Sequence, residues 1–355
     1  MIRWSLSALA LLCAVRAEPV EARPQNTPPA TRPSTSSERS AGEAADEVAR
    51  RFGLAGELLV AKGDRILLDR GYGTISPSGG VPHKAGERWR LASITKQVTA
   101  ALIVREHPGD LDRPWNAITR TSGEGFPTLR QLLTHHSGLG NPDSTPAGAD
   151  GVPSFYKGST PETLAICGKR VGLPGGAFSY NNCDYITARA VLGFVQGQPE
   201  NFWPADLTMA RAGEMGVPGY VRGKPEPRFE LSSWDAAGGL VGTAPAVFAF
   251  DRALMTGKLL SPAALKTLWT PEGNGSYQAL GQWVFPGKLK GCAAPKRIVQ
   301  RDGEIYGVQA RNFILPDDDL VVIVYTNRSA DDLALGEVWE GKGFVYDLLS
   351  AVACS

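Results

Sequence analysis

The chain has 355 residues, 43% of them hydrophobic, so it is long enough for one large domain or two small ones and can build a core. Lysine and arginine number 37 against 36 aspartates and glutamates, a formal net charge of +1, and the cations are scattered. That balance argues against a nucleic-acid partner and against charge-driven attachment to an anionic membrane surface.

Met1 to Trp4 supply a short positive region, Ser5 to Val15 an apolar core too short to span a bilayer, and Val15-Arg16-Ala17 small residues suited to cleavage. Residues 1–17 are therefore predicted to be a secretory signal peptide, cleaved near Ala17, with a periplasmic or secreted destination. Leu12 stands before Cys13 where lipidation needs a small residue, and no other stretch is apolar enough to cross a membrane. Residues 18–40, rich in Pro, Ser, Thr and Arg, read as a disordered linker, and 41–355 as a single domain. If Cys13 leaves with the signal, four cysteines remain, and four cysteines in an exported chain suggest two disulfides in one of three pairings. The expected pairing is Cys167 with Cys183 and Cys292 with Cys354. No Cys-x-x-Cys or His-Glu-x-x-His occurs, so no metal site is expected.

Within the domain, Glu43 to Phe52 reads as a helix, and Glu57–Val60 and Arg65–Tyr72 as strands joined through Lys62-Gly63-Asp64. From Ser93 onward Ile94, Val98, Ala101 and Leu102 recur at three- and four-residue steps with no Gly or Pro, the pattern of a buried helix. Thr128 to Leu133 forms a short helix. Pro142 to Pro161 is a long Gly- and Pro-rich loop, which at this length is more often functional than accidental. Helices follow at 184–196 and 246–255. Strands are predicted at 279–285, 297–300, 306–315 and 320–325, then a closing helix over 333–352. Strands at both ends with helices between them predict an α+β fold: one antiparallel sheet built from N- and C-terminal strands, carrying a large helical insertion.

The Ser93 helix carries the chemistry. Residues three apart share a helix face, so Lys96 sits one turn above Ser93. Flanked by Ile94 and Val98, its ammonium would be desolvated and its pKa lowered, leaving an amine able to take the serine proton. A serine at a helix N-terminus also faces backbone N–H groups suited to an oxyanion. The spacing alone is common: Ser154-Phe155-Tyr156-Lys157 repeats it, among Pro153, Gly158 and Pro161, where no helix is expected. Tyr180-Asn181-Asn182 adds a proton carrier and an amide in a loop after Pro174 and two glycines, where site residues tend to sit. Tyr325-Thr326-Asn327 has the same pattern but ends a core strand.

Leu91-Ala92-Ser93-Ile94-Thr95-Lys96, Leu132 to Leu139 (Leu-Leu-Thr-His-His-Ser-Gly-Leu), Phe178-Ser179-Tyr180-Asn181-Asn182 and Ala237-Gly238-Gly239-Leu240 occur in that order. Together they resemble the class C β-lactamase-like serine hydrolases, which include D-alanyl-D-alanine carboxypeptidases, D-amino-acid peptidases and esterases. The resemblance spans about residues 45 to 350 and implies a β-lactamase/penicillin-binding-protein-like fold, a small-molecule or peptide substrate and no cofactor. It implies Ser93 as nucleophile, Lys96 as proton acceptor, Tyr180 as general base and acid, and Asn182 as holder of Lys96 and of the substrate amide. The family's third motif falls at Arg301-Asp302-Gly303, with the N–H groups of Ser93 and Glu304 as oxyanion hole. Asp302 departs from the pattern, because the family has a hydroxyl there and a substrate carboxylate would meet a like charge. Three roles for Asp302 follow: it neutralises Arg301, receives a substrate ammonium, or forms a strand-end salt bridge. Two function classes follow: an exported serine hydrolase acting through an acyl-enzyme on an ester, amide, D-amino-acid peptide or β-lactam, or a catalytically weak homologue that binds peptidoglycan fragments.

Overall fold

A computed structural model of the chain describes residues 36–120, 122–158, 161–195, 206–273 and 275–354. The N-terminal part contributes helix α1 (Ser36–Arg51), the hairpin β1 (Gly56–Lys62) and β2 (Arg65–Tyr72), the short strand β3 (Trp89–Arg90) and α2 (Ile94–Glu106). The middle holds α3 (Trp115–Thr119), α4 (Leu129–Leu133), α5 (Pro161–Gly168), α6 (Asn182–Val195), the two-residue strands β4 (Thr208–Met209), β5 (Tyr220–Val221) and β6 (Lys224–Pro225), α7 (Asp235–Gly238), β7 (Leu240–Gly242), α8 (Ala244–Met255) and α9 (Pro262–Leu268). The C-terminal part returns to strands β8 (Trp283–Gly287), β9 (Lys296–Ile305), β10 (Val308–Leu315) and β11 (Leu320–Thr326), closed by α10 (Phe344–Ala353).

The main sheet has six antiparallel strands in the order β2-β1-β11-β10-β9-β8. The N-terminal hairpin thus joins the C-terminal strands through β1 and β11, in register from Gly56 opposite Thr326 to Lys62 opposite Leu320. Alternation along each strand divides the core in two. Leu58, Val60, Phe313 and Val322 pack with Ala45 and Val48 of α1 and with Val345 and Leu348 of α10. Leu59, Ala61, Ala310 and Ile323 face the insertion, where they join Ile94, Val98 and Ala101 of α2 and Val247 and Phe250 of α8. Every residue of α2 from Ile94 to Val104 is buried, the polar Thr95, Lys96, Gln97 and Thr99 among them.

Several elements differ from the sequence reading. Helix α1 begins at Ser36, inside the expected linker, while the expected signal peptide and most of that linker lie outside the described residues. The strand predicted from Ala279 starts only at Trp283, because Gly281 turns the chain at φ +80°; a Cβ there would lie 2.7 Å from the Lys96 carbonyl oxygen, so this glycine lets the turn press against α2. The closing helix starts at Phe344 rather than Leu333: Gly341 and Gly343 take φ of +67° and +95° and leave only a 3-10 turn at Val338–Glu340 before it. Ser154–Lys157 forms one 3-10 turn where no helical structure was expected.

Cys167 is bridged to Cys183 and Cys292 to Cys354, as expected. Among the described residues no helix is long and apolar enough to cross a membrane, and no group of His, Cys, Asp or Glu could hold a metal ion.

Candidate active site

Ser93 is the N-cap of α2, following Ala92 at φ +46°. The left-handed Ala92 turns the chain sharply from β3 into the helix and leaves Ser93 half-buried at the surface of a cleft, with Lys96 fully buried beneath it. Lys96 Nζ is 3.0 Å from Ser93 Oγ, and it donates to Asn182 Oδ1 at 2.8 Å and to the Ala237 carbonyl at 2.7 Å. The last two oxygens can only accept. They fix two N–H bonds of the amine, so its remaining position faces the serine. Burial pulls the Lys96 pKa down to about 8, against the opposing pull of a charged Tyr180 and with a smaller push from Arg301.

Tyr180 Oη completes the arrangement, 2.6 Å from Ser93 Oγ. Burial would raise its pKa, but the charges of Lys96 and Arg301 and the hydrogen bonds with Lys96 and Ser93 outweigh that and hold it below the ordinary value. Tyr180 rests on His135, whose ring centroid is 4.5 Å away. His135 is left-handed at φ +62°, just past the capped turn of α4, where Thr128 and Gln131 bond reciprocally. Its Nδ1 contacts Asp184 Oδ2 at 3.0 Å, and Ser137 donates to the other oxygen of Asp184. The Thr-His-His-Ser-Gly-Leu segment therefore forms the floor under Tyr180. No described histidine side chain hydrogen-bonds a serine hydroxyl, so these groups do not form a Ser-His-Asp relay.

Arg301 enters from β9. Its Nε donates to the Ser93 carbonyl and its Nη2 to Tyr180 Oη, both at 2.9 Å. Asp302 does not neutralise it, because successive strand residues point to opposite faces. The carboxylate instead takes Gln300 Nε2 at 2.9 Å and lies 3.3 Å from Arg311 Nε. Gly303 packs against the Leu91–Ser93 turn; a Cβ would touch the Leu91 oxygen and come within 3.3 Å of the Ser93 nitrogen, so the strand passes beside that amide only because residue 303 lacks a side chain. Ser93, Tyr180, Asn182, Arg301, Asp302 and Glu304 all line one cleft of about 490 Å³.

Three residues of this cleft escaped the sequence reading. Asn182 Nδ2 donates to Tyr156 Oη at 2.9 Å, and the Tyr156 hydroxyl bonds Asp143. The Tyr156 ring stacks on Trp234 with centroids 3.6 Å apart. The available signal was the length of the Pro142–Pro161 loop, together with the Ser-x-x-Lys spacing in which Tyr156 sits. Lys157, the other half of that spacing, pairs with Asp150 at 2.8 Å on the surface.

The sequence profile described as Beta-lactamase matches residues 43–339, most of the chain. The chain belongs to the beta-lactamase family. That family is one of serine hydrolases, and its fold accounts for the sheet and insertion seen here. A Bacillus subtilis (strain 168) protein named among the penicillin-binding proteins, PbpX, is 23% identical over 336 residues, covering 85% of this chain and 76% of the relative. The D-amino acid amidase from Ochrobactrum anthropi SV3, solved with D-phenylalanine, superposes with a TM-score of 0.68 at 20% identity, over 90% of this chain and 99% of the amidase. The octameric penicillin-binding protein homologue from Pyrococcus abyssi superposes with a TM-score of 0.65 at 18% identity, over 87% of this chain and 78% of that one. At these identities the structural likeness shows a shared fold.

Proposed function

We propose that this member of the beta-lactamase family is an exported serine hydrolase that cleaves an amide or ester through an acyl-enzyme on Ser93. The observation that carries the reading is the placement of Ser93 Oγ between Lys96 Nζ and Tyr180 Oη, at 3.0 and 2.6 Å. Lys96 and Tyr180 together take the Ser93 proton as Oγ attacks the substrate carbonyl. The N–H groups of Ser93 and Glu304 receive the oxyanion. Tyr180 passes the proton to the leaving nitrogen or oxygen, the acyl–leaving-group bond breaks, and water then hydrolyses the acyl-enzyme with the same groups acting in reverse. Asn182 holds Lys96 through Oδ1, and Arg301 holds Tyr180 in line.

Ester, amide, D-amino-acid peptide and β-lactam substrates share this chemistry. Asp143, Asp302, Glu304 and Glu337 outnumber Arg301 and Arg311 in the cleft wall and favour neutral or amino-bearing substrates over the carboxylate of a β-lactam, in keeping with the D-amino acid amidase among the structural relatives. A binding-only role for peptidoglycan fragments draws on Asp302; the completed Ser93, Lys96 and Tyr180 contacts speak for turnover. The two disulfides support the exported destination, because such bridges persist in oxidising compartments.

Labelling with a fluorophosphonate tests this reading. Wild type should carry one adduct on Ser93, Ser93→Ala should carry none, and Ser154→Ala should label as wild type does. An adduct that maps elsewhere, or that survives in Ser93→Ala, would overturn it.

A further inference from the structure

Beyond Tyr180 the cleft does not close. Trp283, the first residue of β8, lines both the Ser93 cleft and a second groove of about 710 Å³. This groove is walled by Phe178, Tyr277, Phe285 and Trp339. Among the described residues, the only largely exposed aromatic side chains are Phe178, Tyr277 and Trp339, at 49%, 52% and 61% exposure, and all three line it. Single exposed apolar residues are ordinary on a surface, but three aromatic rings gathered in one groove mark a binding site. The groove is continuous with the Ser93 cleft through Trp283, which lines both.

The layout along β9 says which end of a substrate would lie there. Trp283 is opposite Gln300, the residue before Arg301. The Arg301 guanidinium lies 4.8 Å from the Trp283 ring centroid and bonds Tyr180 Oη. Glu304, whose N–H faces the oxyanion in the mechanism above, lies three residues further along in the opposite direction. From Ser93 the order is therefore Tyr180, Arg301, Trp283 and then the groove. Tyr180 protonates the departing atom, so the fragment that leaves is the one on the groove side.

We propose that the groove is the leaving-group subsite of the Ser93 cleft and selects amides and esters whose departing fragment is an extended aromatic group. This rests on the hydrolase reading above. In the step concerned, the Ser93 Oγ–acyl bond forms, the acyl bond to the aromatic fragment breaks, and the serine proton leaves on that fragment through Tyr180. The fragment keeps its rings among Trp283, Tyr277 and Trp339.

Two measurements test it. Calorimetric titration with 2-naphthylmethanol, a leaving fragment by itself, should show saturable binding to wild type and to Ser93→Ala alike, weakened at least tenfold in a Tyr277→Ala/Trp339→Ala variant of unchanged melting temperature. With methyl acetate and 2-naphthylmethyl acetate, which share one acyl group, the same double variant should keep the methyl-ester rate and lose at least tenfold in relative kcat/KM for the naphthylmethyl ester. No saturable binding, binding that survives the double variant, or an unchanged ratio of the two esters would overturn the subsite. Fragment binding without Ser93-dependent turnover of either ester would instead overturn the hydrolase reading, and the leaving-group assignment with it. Loss of ester selectivity alone would leave the hydrolase reading standing.

Discussion

Removing one hydroxyl from Tyr156 should slow the reaction without touching the reacting atoms. Lys96 is aimed by Asn182 Oδ1, and the other end of the Asn182 amide is aimed by Tyr156 Oη. Tyr156→Phe leaves that amide nitrogen only the more distant Asp143 Oδ1, at 3.5 Å, and loosens its hold on Lys96. Net hydrogen-bond contributions of this kind are about 1 kcal/mol, so kcat should fall roughly fivefold with KM little changed. Steady-state kinetics beside a melting curve would check it; unchanged kcat in a folded variant would show that Asn182 is held without Tyr156. Ser93, Lys96, Tyr180 and Asn182 were legible in the sequence because each sits within a short motif whose internal spacing sets its geometry. Tyr156 and Asp143 were not, because they reach the cleft through a folded loop with no periodicity of its own. Arg301 was placed by its motif, but its split attachment, to the Ser93 carbonyl and to Tyr180, depends on how β9 passes the turn before α2.

At the scale of elements, the two disulfides should prove unequal in function. Cys167–Cys183 ties α5 to α6 over a separation of 16 residues, and Cys183 follows Asn182 directly. Cys292–Cys354 joins the end of α10 to the segment before β9 over 62 residues, packed against the core of the α1 and α10 face. Chain entropy predicts roughly 3 kcal/mol of stabilisation for the first and somewhat more for the second. Replacing Cys167 and Cys183 by serine should therefore lower the denaturation midpoint and also slow fluorophosphonate labelling. The same change at Cys292 and Cys354 should lower the midpoint alone. Denaturant titrations and labelling rates on both variants would check this; equal labelling rates would show that the short bridge plays no part in holding Asn182. Helices with clear punctuation, such as α4 behind its Thr128–Gln131 box, were readable from sequence. The closing helix is shorter than the apolar periodicity before Phe344 predicts, because Gly341 and Gly343 take positive φ there. The strand expected from Ala279 begins later because a glycine inside an alternating run can mean a turn pressed on a helix.

At the scale of the whole molecule, a titratable pair sits where the sheet meets the insertion. Glu57 of β1 is buried, accepting from Trp89 Nε1 at 2.7 Å and from the Gly86 N–H at 2.8 Å. Burial, with Asp69 beside it, pushes its carboxyl from 4.5 up to about 8. The folded state thus holds this proton more tightly than the unfolded chain, so the contribution is fully present below pH 4.5 and is lost as pH rises through about 8. Glu337, raised by burial to about 7, acts in the same direction. Stability should therefore decline between pH 5 and pH 8, and Glu57→Gln should flatten part of that slope. Denaturation at pH 5, 6.5 and 8 would test it; an identical slope in the variant would mean that Glu57 ionises normally. That the sheet joins both ends of the chain was legible from the placement of strand patterns alone. Its strand order followed from pairings that no local pattern encodes.

The joining of β1 to β11 also sets a clock. Thr326 Oγ1 bonds the Ala55 carbonyl across 271 residues of chain. A ribosome working at about 5–20 residues per second would leave the first hairpin without its central neighbour for roughly fifteen to fifty seconds. Until β11 emerges, Leu58 and Leu59 have no completed sheet to enter. Ser93, made early, would have to wait for β9, among the last parts of the chain to appear, before its own turn is held.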